Sequence, residues 1–133
     1  EAGVRLDLEA LVVFARWVTP TGVPKRFDTW FFAIKAPDDQ LAACDGRETV
    51  DAEWLSPAEA LRLGQIGERK IIFPTRMNLK RLAEAQSADD ALARASARPH
   101  APVHTQIVER PEGRFLVLPP ESGYGLVEEP MDI

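Results

Sequence analysis

From Leu8 to Val18 apolar side chains occupy both phases of a two-residue alternation, with Leu11, Val13 and Trp17 on one and Val12, Phe14 and Val18 on the other. That pattern predicts a strand covered on both faces. Thr19-Pro20-Thr21-Gly22-Val23-Pro24 reads as a turn, and a second two-sided strand is predicted through Phe27–Ile34, so the pair forms an antiparallel hairpin. Ala36-Pro37-Asp38-Asp39-Gln40 breaks it. The polar stretch Asp45-Gly46-Arg47-Glu48 leads into a third strand that ends near Trp54-Leu55 and is expected to rejoin the same sheet with Trp54 buried.

Ser56-Pro57-Ala58-Glu59 is a helix start. Ser stands at the cap, Pro at the first helical position where its missing N–H costs nothing, and Glu at the capping-box position. The helix is predicted to reach Leu63 or Gly64. A second is predicted after Phe73-Pro74-Thr75, with Leu79, Leu82 and Ala83 on its apolar side. A third begins at Ser87, with Asp90 three residues on and Ala88, Ala91, Leu92 and Ala95 on one face. Pro99-His100-Ala101-Pro102 reads as a linker, and Thr105–Arg110 and Arg114–Leu118 flank Pro111-Glu112-Gly113 as a hairpin, with a loosely ordered tail beyond. The sum is an α+β protein with a mixed sheet between helices.

With 133 residues, 45% of them apolar, the chain is long enough for one domain with a core, taken as residues 1–133 with the hairpin and tail at 99–133. Sixteen Lys and Arg against 21 Asp and Glu give a net charge of −5, which argues against nucleic acid as the main partner. The longest apolar run, Ala10–Ala15, is far short of a membrane helix, and no charged-then-apolar leader opens the chain, so no membrane partner is expected. Cys44 is the sole cysteine, which excludes an internal disulfide and a Cys-rich zinc site and makes the cytoplasm the expected compartment.

His100 and His104 sit in or beside the proline-bounded linker without a Ser, Cys or Asp partner at a recognisable spacing, and read as surface histidines. Neither a dinucleotide-binding glycine motif nor a P-loop occurs. Cys44 reads as an inert thiol. The carboxylates are more informative: Glu1, Asp45, Glu48, Asp51 and Glu53 form an oxygen-rich set of the kind hard divalent cations prefer, if they converge; otherwise they are solvated loop charges.

Glu1-Ala2-Gly3-Val4 matches the end of the Nudix signature G-x5-E-x7-R-E-U-x-E-E-x-G-U, where U is aliphatic. Further along come Trp17-Val18-Thr19-Pro20, Lys25-Arg26-Phe27-Asp28-Thr29-Trp30-Phe31-Phe32, Asp45-Gly46-Arg47-Glu48, Trp54-Leu55-Ser56-Pro57-Ala58-Glu59-Ala60-Leu61 and Pro74-Thr75-Arg76. In that order, over roughly residues 1–85, the chain resembles the Nudix hydrolases, in the branch of the peroxisomal coenzyme A diphosphatases and their bacterial relatives. The resemblance implies an α/β/α sandwich whose first strands, together with the glycine, first glutamate and Arg-Glu pair of the signature, precede Glu1; the 133 residues alone are then expected to be inactive.

The resemblance also implies chemistry. Glutamates on one helix face hold Mg²⁺ or Mn²⁺ against a pyrophosphate, and an activated water attacks one phosphorus. Glu1 matches the last metal-binding glutamate. Glu48, six residues before Trp54, best matches the loop acid that binds metal or acts as base, with Asp45, Asp51 and Glu53 as competitors. Arg26, with Lys25, and Arg76 are candidate contacts to substrate phosphates, or else snorkelling surface cations. Trp17, Trp30, Phe31 and Phe32 are expected in the core, one of them free to stack on an adenine. The implied activity is metal-dependent hydrolysis of a small nucleoside-diphosphate-linked substrate, coenzyme A or an acyl derivative, by a protein that the family allows to be a homodimer. The alternative is a non-catalytic Nudix-fold binding module.

Overall fold

A computed structural model describes residues 10–36, 54–99 and 101–131. These fall into two units, one within residues 1–33 and 92–133 and the other within 34–91.

In the first unit, β1 (Val12–Val18) and β2 (Asp28–Ala33) form the expected antiparallel hairpin, with Arg16 opposite Trp30 and Trp17 opposite Thr29. The register slips between Val13 and Ala15, so Phe14 is an extra residue on β1; such a bulge turns the strand's facing side and accounts for buried residues on both alternation phases. Residues Val103–His104 form a short β3 that runs parallel to β1 opposite Trp17 and Val18, which makes the sheet mixed, in the order β2-β1-β3. The second sheet is an antiparallel meander of β4 (Gln106–Arg110), β5 (Gly113–Leu118) and β6 (Val127–Pro130). Between β4 and β5, Pro111 suits the first corner of the turn, and Gly113 takes a φ of +131° that an L side chain resists. The α+β class and a mixed sheet are thus present.

The second hairpin was expected, but the tail beyond it is not loose. β6 pairs with β5 from Phe115 to Leu118, and its Glu128 carboxylate accepts hydrogen bonds from Arg110 on β4. Its two glutamates hide the strand pattern because an edge strand tolerates charge on its open face.

β2 also departs from expectation. Among the described residues it pairs with β1 alone, and Trp30 and Phe32 on one face are 45% and 55% exposed; Phe31 on the other face is half-buried. With one face this exposed, the apolar run is not a two-sided core strand. Trp17 alone of the aromatic set named above lies in the core, 3% exposed and with its ring 5.2 Å from that of Tyr124, which precedes β6. Trp54 and Leu55 are not in a strand, and Trp54 is 67% exposed. Its expected burial depended on a sheet face that these residues do not join; the rest of the expected third strand, with Asp45, Glu48, Asp51 and Glu53, lies outside the described residues.

The helices follow their caps. In α1 (Pro57–Gln65) the Glu59 N–H donates to Ser56 Oγ at 3.1 Å, while the Glu59 carboxylate, rather than reaching back to the cap, pairs with Arg62 at 2.5 Å. α2 (Phe73–Ala83) buries Phe73, Met77 and Asn78; Leu79 and Leu82 are half-buried and Ala83 exposed, so its inner face is turned from the expected one. Gly64 permits the close packing of α1 against the segment before α2, since a Cβ there would stand 3.0 Å from Ile71 Cδ1. α3 (Ala88–Ala97) starts with a reciprocal cap: Asp90 N–H donates to Ser87 Oγ at 3.0 Å and Gln86 N–H to the Asp90 carboxylate at 2.9 Å. Ala95 on the small-residue face is fully buried. Among the described residues no helix is long and apolar enough to cross a membrane.

Candidate functional site

β1 hands the chain to Thr19, which closes the loop to β2. Thr19 N–H donates to the Phe27 carbonyl at 3.0 Å, and the Phe27 N–H donates back to Thr19 Oγ1 at 3.0 Å. Between them Gly22 adopts a φ of +93°, which lets the proline-flanked loop reverse. Arg26 is held at the loop's return by its Nε, which donates to the Thr19 carbonyl at 3.3 Å. Its two terminal nitrogens make no other hydrogen bond among the described residues.

On the other side of this loop the short parallel pairing brings His104 beside Val18, and the chain continues through Thr105 into β4. Loop and strand enclose a half-open cleft of about 390 Å³, lined by Thr19, Thr21, Arg26, His104, Thr105 and Gln106, and further along β4 by Ile107 and Val108. None of the described lining residues is a carboxylate.

The nearby Arg16 is engaged elsewhere. Its guanidinium lies 4.8 Å from the centre of the Trp30 ring and donates to Asp28 at 2.9 and 2.6 Å. Those hydrogen bonds hold the Asp28 carboxyl below its usual range, partly opposed by desolvation and assisted by the charges of Arg16 and His104. Asp28 is thereby bound to Arg16, and Arg26 is left to face the cleft.

Of the residues singled out from the sequence, Arg26 lines this cleft. Arg76 does not: it belongs to the other unit, where its Nη1 donates to the Ile71 carbonyl at 3.3 Å and its guanidinium lies 5.6 Å from the centre of the Phe73 ring at the start of α2. Glu1, Glu48, Cys44 and His100 lie outside the described residues. The residue that sequence reasoning passed over is His104. No local signal marks it, because its place depends on pairing with a strand more than eighty positions earlier in the chain.

Among the described residues no three His, Cys, Asp or Glu side chains converge to hold a metal ion. The expected ligands of Mg²⁺ or Mn²⁺, Glu1 and Glu48, lie outside the described residues; their carboxylates are of the hard oxygen type such ions take. No protein-family model matches the chain, and no solved structure matches it.

Proposed function

We propose that this chain is part of a metal-dependent pyrophosphohydrolase of the Nudix type, built as an α/β/α sandwich, acting in the cytoplasm on a small nucleoside-diphosphate-linked substrate such as coenzyme A. The ordered motifs from Glu1 to Arg76 support the family, and the α+β architecture agrees with it. The observation that carries the reading is the position of Arg26, a cation presented by a pinned loop to a cleft among hydrogen-bonding side chains. Arg26 binds a substrate phosphate there, as a guanidinium matches phosphate geometry. Glu1 and Glu48 would hold Mg²⁺ or Mn²⁺, which would supply Lewis-acid polarisation of the pyrophosphate and of water. In the general-base form of its role Glu48 would instead take the proton of the attacking water. Arg76 steadies the start of α2.

The test is an assay on the full-length protein. Coenzyme A with Mg²⁺ is expected to yield two phosphorylated products, and Glu48→Gln to lower kcat by on the order of 10²–10⁴-fold with little change in KM. Glu53→Gln is expected to have a much smaller effect. Equal and small effects of both substitutions in an active protein would move the base elsewhere; no turnover of any nucleoside-diphosphate substrate would favour the non-catalytic binding module.

A further inference from the structure

We infer that the cleft beside Arg26 is a binding site for a phosphate monoester and that it binds this group without a metal ion. The inference deepens the hydrolytic reading, with which it shares Arg26, but adds His104, Thr21 and Gln106 as ligand contacts. The protein carries a net charge of −5, yet the described lining of this cleft has an arginine, a histidine, three threonines and a glutamine and no carboxylate. The nearest carboxylate described on β2, Asp28, is neutralised by the two hydrogen bonds from Arg16. Among the described residues, an anion entering the cleft thus meets the Arg26 cation and no fixed negative charge on the walls.

Thr19 Oγ1 is already occupied, accepting from the Phe27 N–H and donating to the Phe27 carbonyl at 3.3 Å, so it holds the loop rather than a ligand. The terminal nitrogens of Arg26 remain as donors, and His104 donates an N–H in either charge state. The Thr21 hydroxyl and the Gln106 amide complete a set that comes from two sides, the β1–β2 loop and the β3–β4 segment. Donors converging from two sides suit the three terminal oxygens of a phosphate monoester better than the two of a planar carboxylate.

At about 390 Å³ the cleft is in the range of small-molecule sites and exceeds what an inorganic ion fills. Val108, on the same face of β4 as Gln106, supplies apolar surface for the organic part of the ester.

The experiment is calorimetric titration of the 133-residue chain with AMP and with adenosine, in EDTA so that no divalent ion participates. AMP is expected to bind saturably and adenosine much more weakly. Arg26→Gln is expected to weaken AMP binding about tenfold or more, and His104→Ala roughly threefold, in line with the loss of one charged and one ordinary hydrogen bond. Arg114→Gln, which removes a cation on β5 outside the cleft, is expected to leave binding unchanged. A thermal melt of each variant checks folding, and if Arg26→Gln fails to fold the result rests on His104→Ala. Absence of saturable AMP binding, equal binding of adenosine, or an equal loss in Arg114→Gln would overturn the inference. Metal-free AMP binding without hydrolysis of coenzyme A by the full-length protein would overturn the hydrolytic reading alone, and hydrolysis without metal-free AMP binding would overturn this one alone.

Discussion

Among the described residues the two sheets, each of three strands, follow one plan by different routes. Each has a well-buried middle strand, β1 with Phe14, Ala15 and Trp17 and β5 with Val117 and Leu118, and more open strands at its edges. Each also carries an arginine stacked on an aromatic ring of the same sheet and bonded to a carboxylate: Arg16 with Trp30 and Asp28, Arg110 with Phe115 and Glu128. The difference is where the third strand comes from. β4, β5 and β6 succeed one another along the chain, whereas β1 is completed by β3 from beyond all three helices. The meander closes on itself by local turns. The long-range parallel pairing instead brings a loop and a distant strand together, and the cleft with Arg26 and His104 lies at that junction.

The sharpest way to break this comparison is to remove the residue that packs against both regions. Trp17 in β1 is 3% exposed and meets Tyr124, which leads into β6, so Trp17→Ala is expected to cost about 3–5 kcal/mol in urea unfolding. Trp30→Ala, at the exposed edge of the same sheet, is expected to cost about 1 kcal/mol or less, the scale of an exposed cation–π contact. Similar costs for the two would mean that β2 is covered after all. In the meander, Leu118→Ala empties a fully buried site and is expected to cost about 2–5 kcal/mol. A small cost there would show that the second sheet adds little to the stability of the chain.

How much of this is legible in the sequence divides along the same line. The β1–β2 and β4–β5 hairpins, with Gly22 and Gly113 at their turns, are written locally in turn residues and apolar runs. The starts of α1 and α3 are written in Ser56 and Ser87. What local pattern does not carry is coverage. Trp30, Phe32 and Trp54 read as core residues because they are large and apolar, yet their burial depends on what lies across from them. β6 was hidden because Glu128 and Glu129 look like a solvated tail until Arg110 and β5 are placed beside them. In the candidate site Arg26 was legible as a cation at the head of a strand. His104 was not, since β3 is two residues long and its pairing is non-local.

The two helix caps provide a control that neither sheet should influence. Ser56→Ala and Ser87→Ala each remove one side-chain acceptor from a first-turn N–H and are expected to cost about 1 kcal/mol apiece, read as a fall in the urea midpoint. Because Ser87 belongs to a reciprocal cap with Asp90 whereas Glu59 turns to Arg62 instead, the loss at Ser87 is expected to be the larger. The reverse order would indicate that the Gln86–Asp90 hydrogen bond adds no stability.

Acid distinguishes the sheets most finely. Arg16 holds the Asp28 carboxyl below its usual range and Arg110 does the same for Glu128, in each case chiefly by side-chain hydrogen bonds. A carboxylate whose folded-state pKa is lowered binds its proton less readily in the native protein than in the unfolded chain. Its contribution is therefore complete above the unfolded value, about 4, and is lost as the pH falls through the lower folded value. Both pairs are solvent-accessible, so the effect is small and screened by salt. They differ in surroundings: His104 adds a further cationic pull on Asp28, whereas the additional influence in the second sheet is Glu112, whose charge favours the cationic form of Arg110. Urea midpoints measured from pH 6 down to about 3 are expected to fall less steeply for Asp28→Asn and Glu128→Gln than for the parent chain. Replacing His104 by Ala is expected to reduce part of the slope that depends on Asp28 and none that depends on Glu128. If His104→Ala alters both equally, the electrostatic link between the β3 histidine and the β2 carboxylate is not the one the geometry indicates.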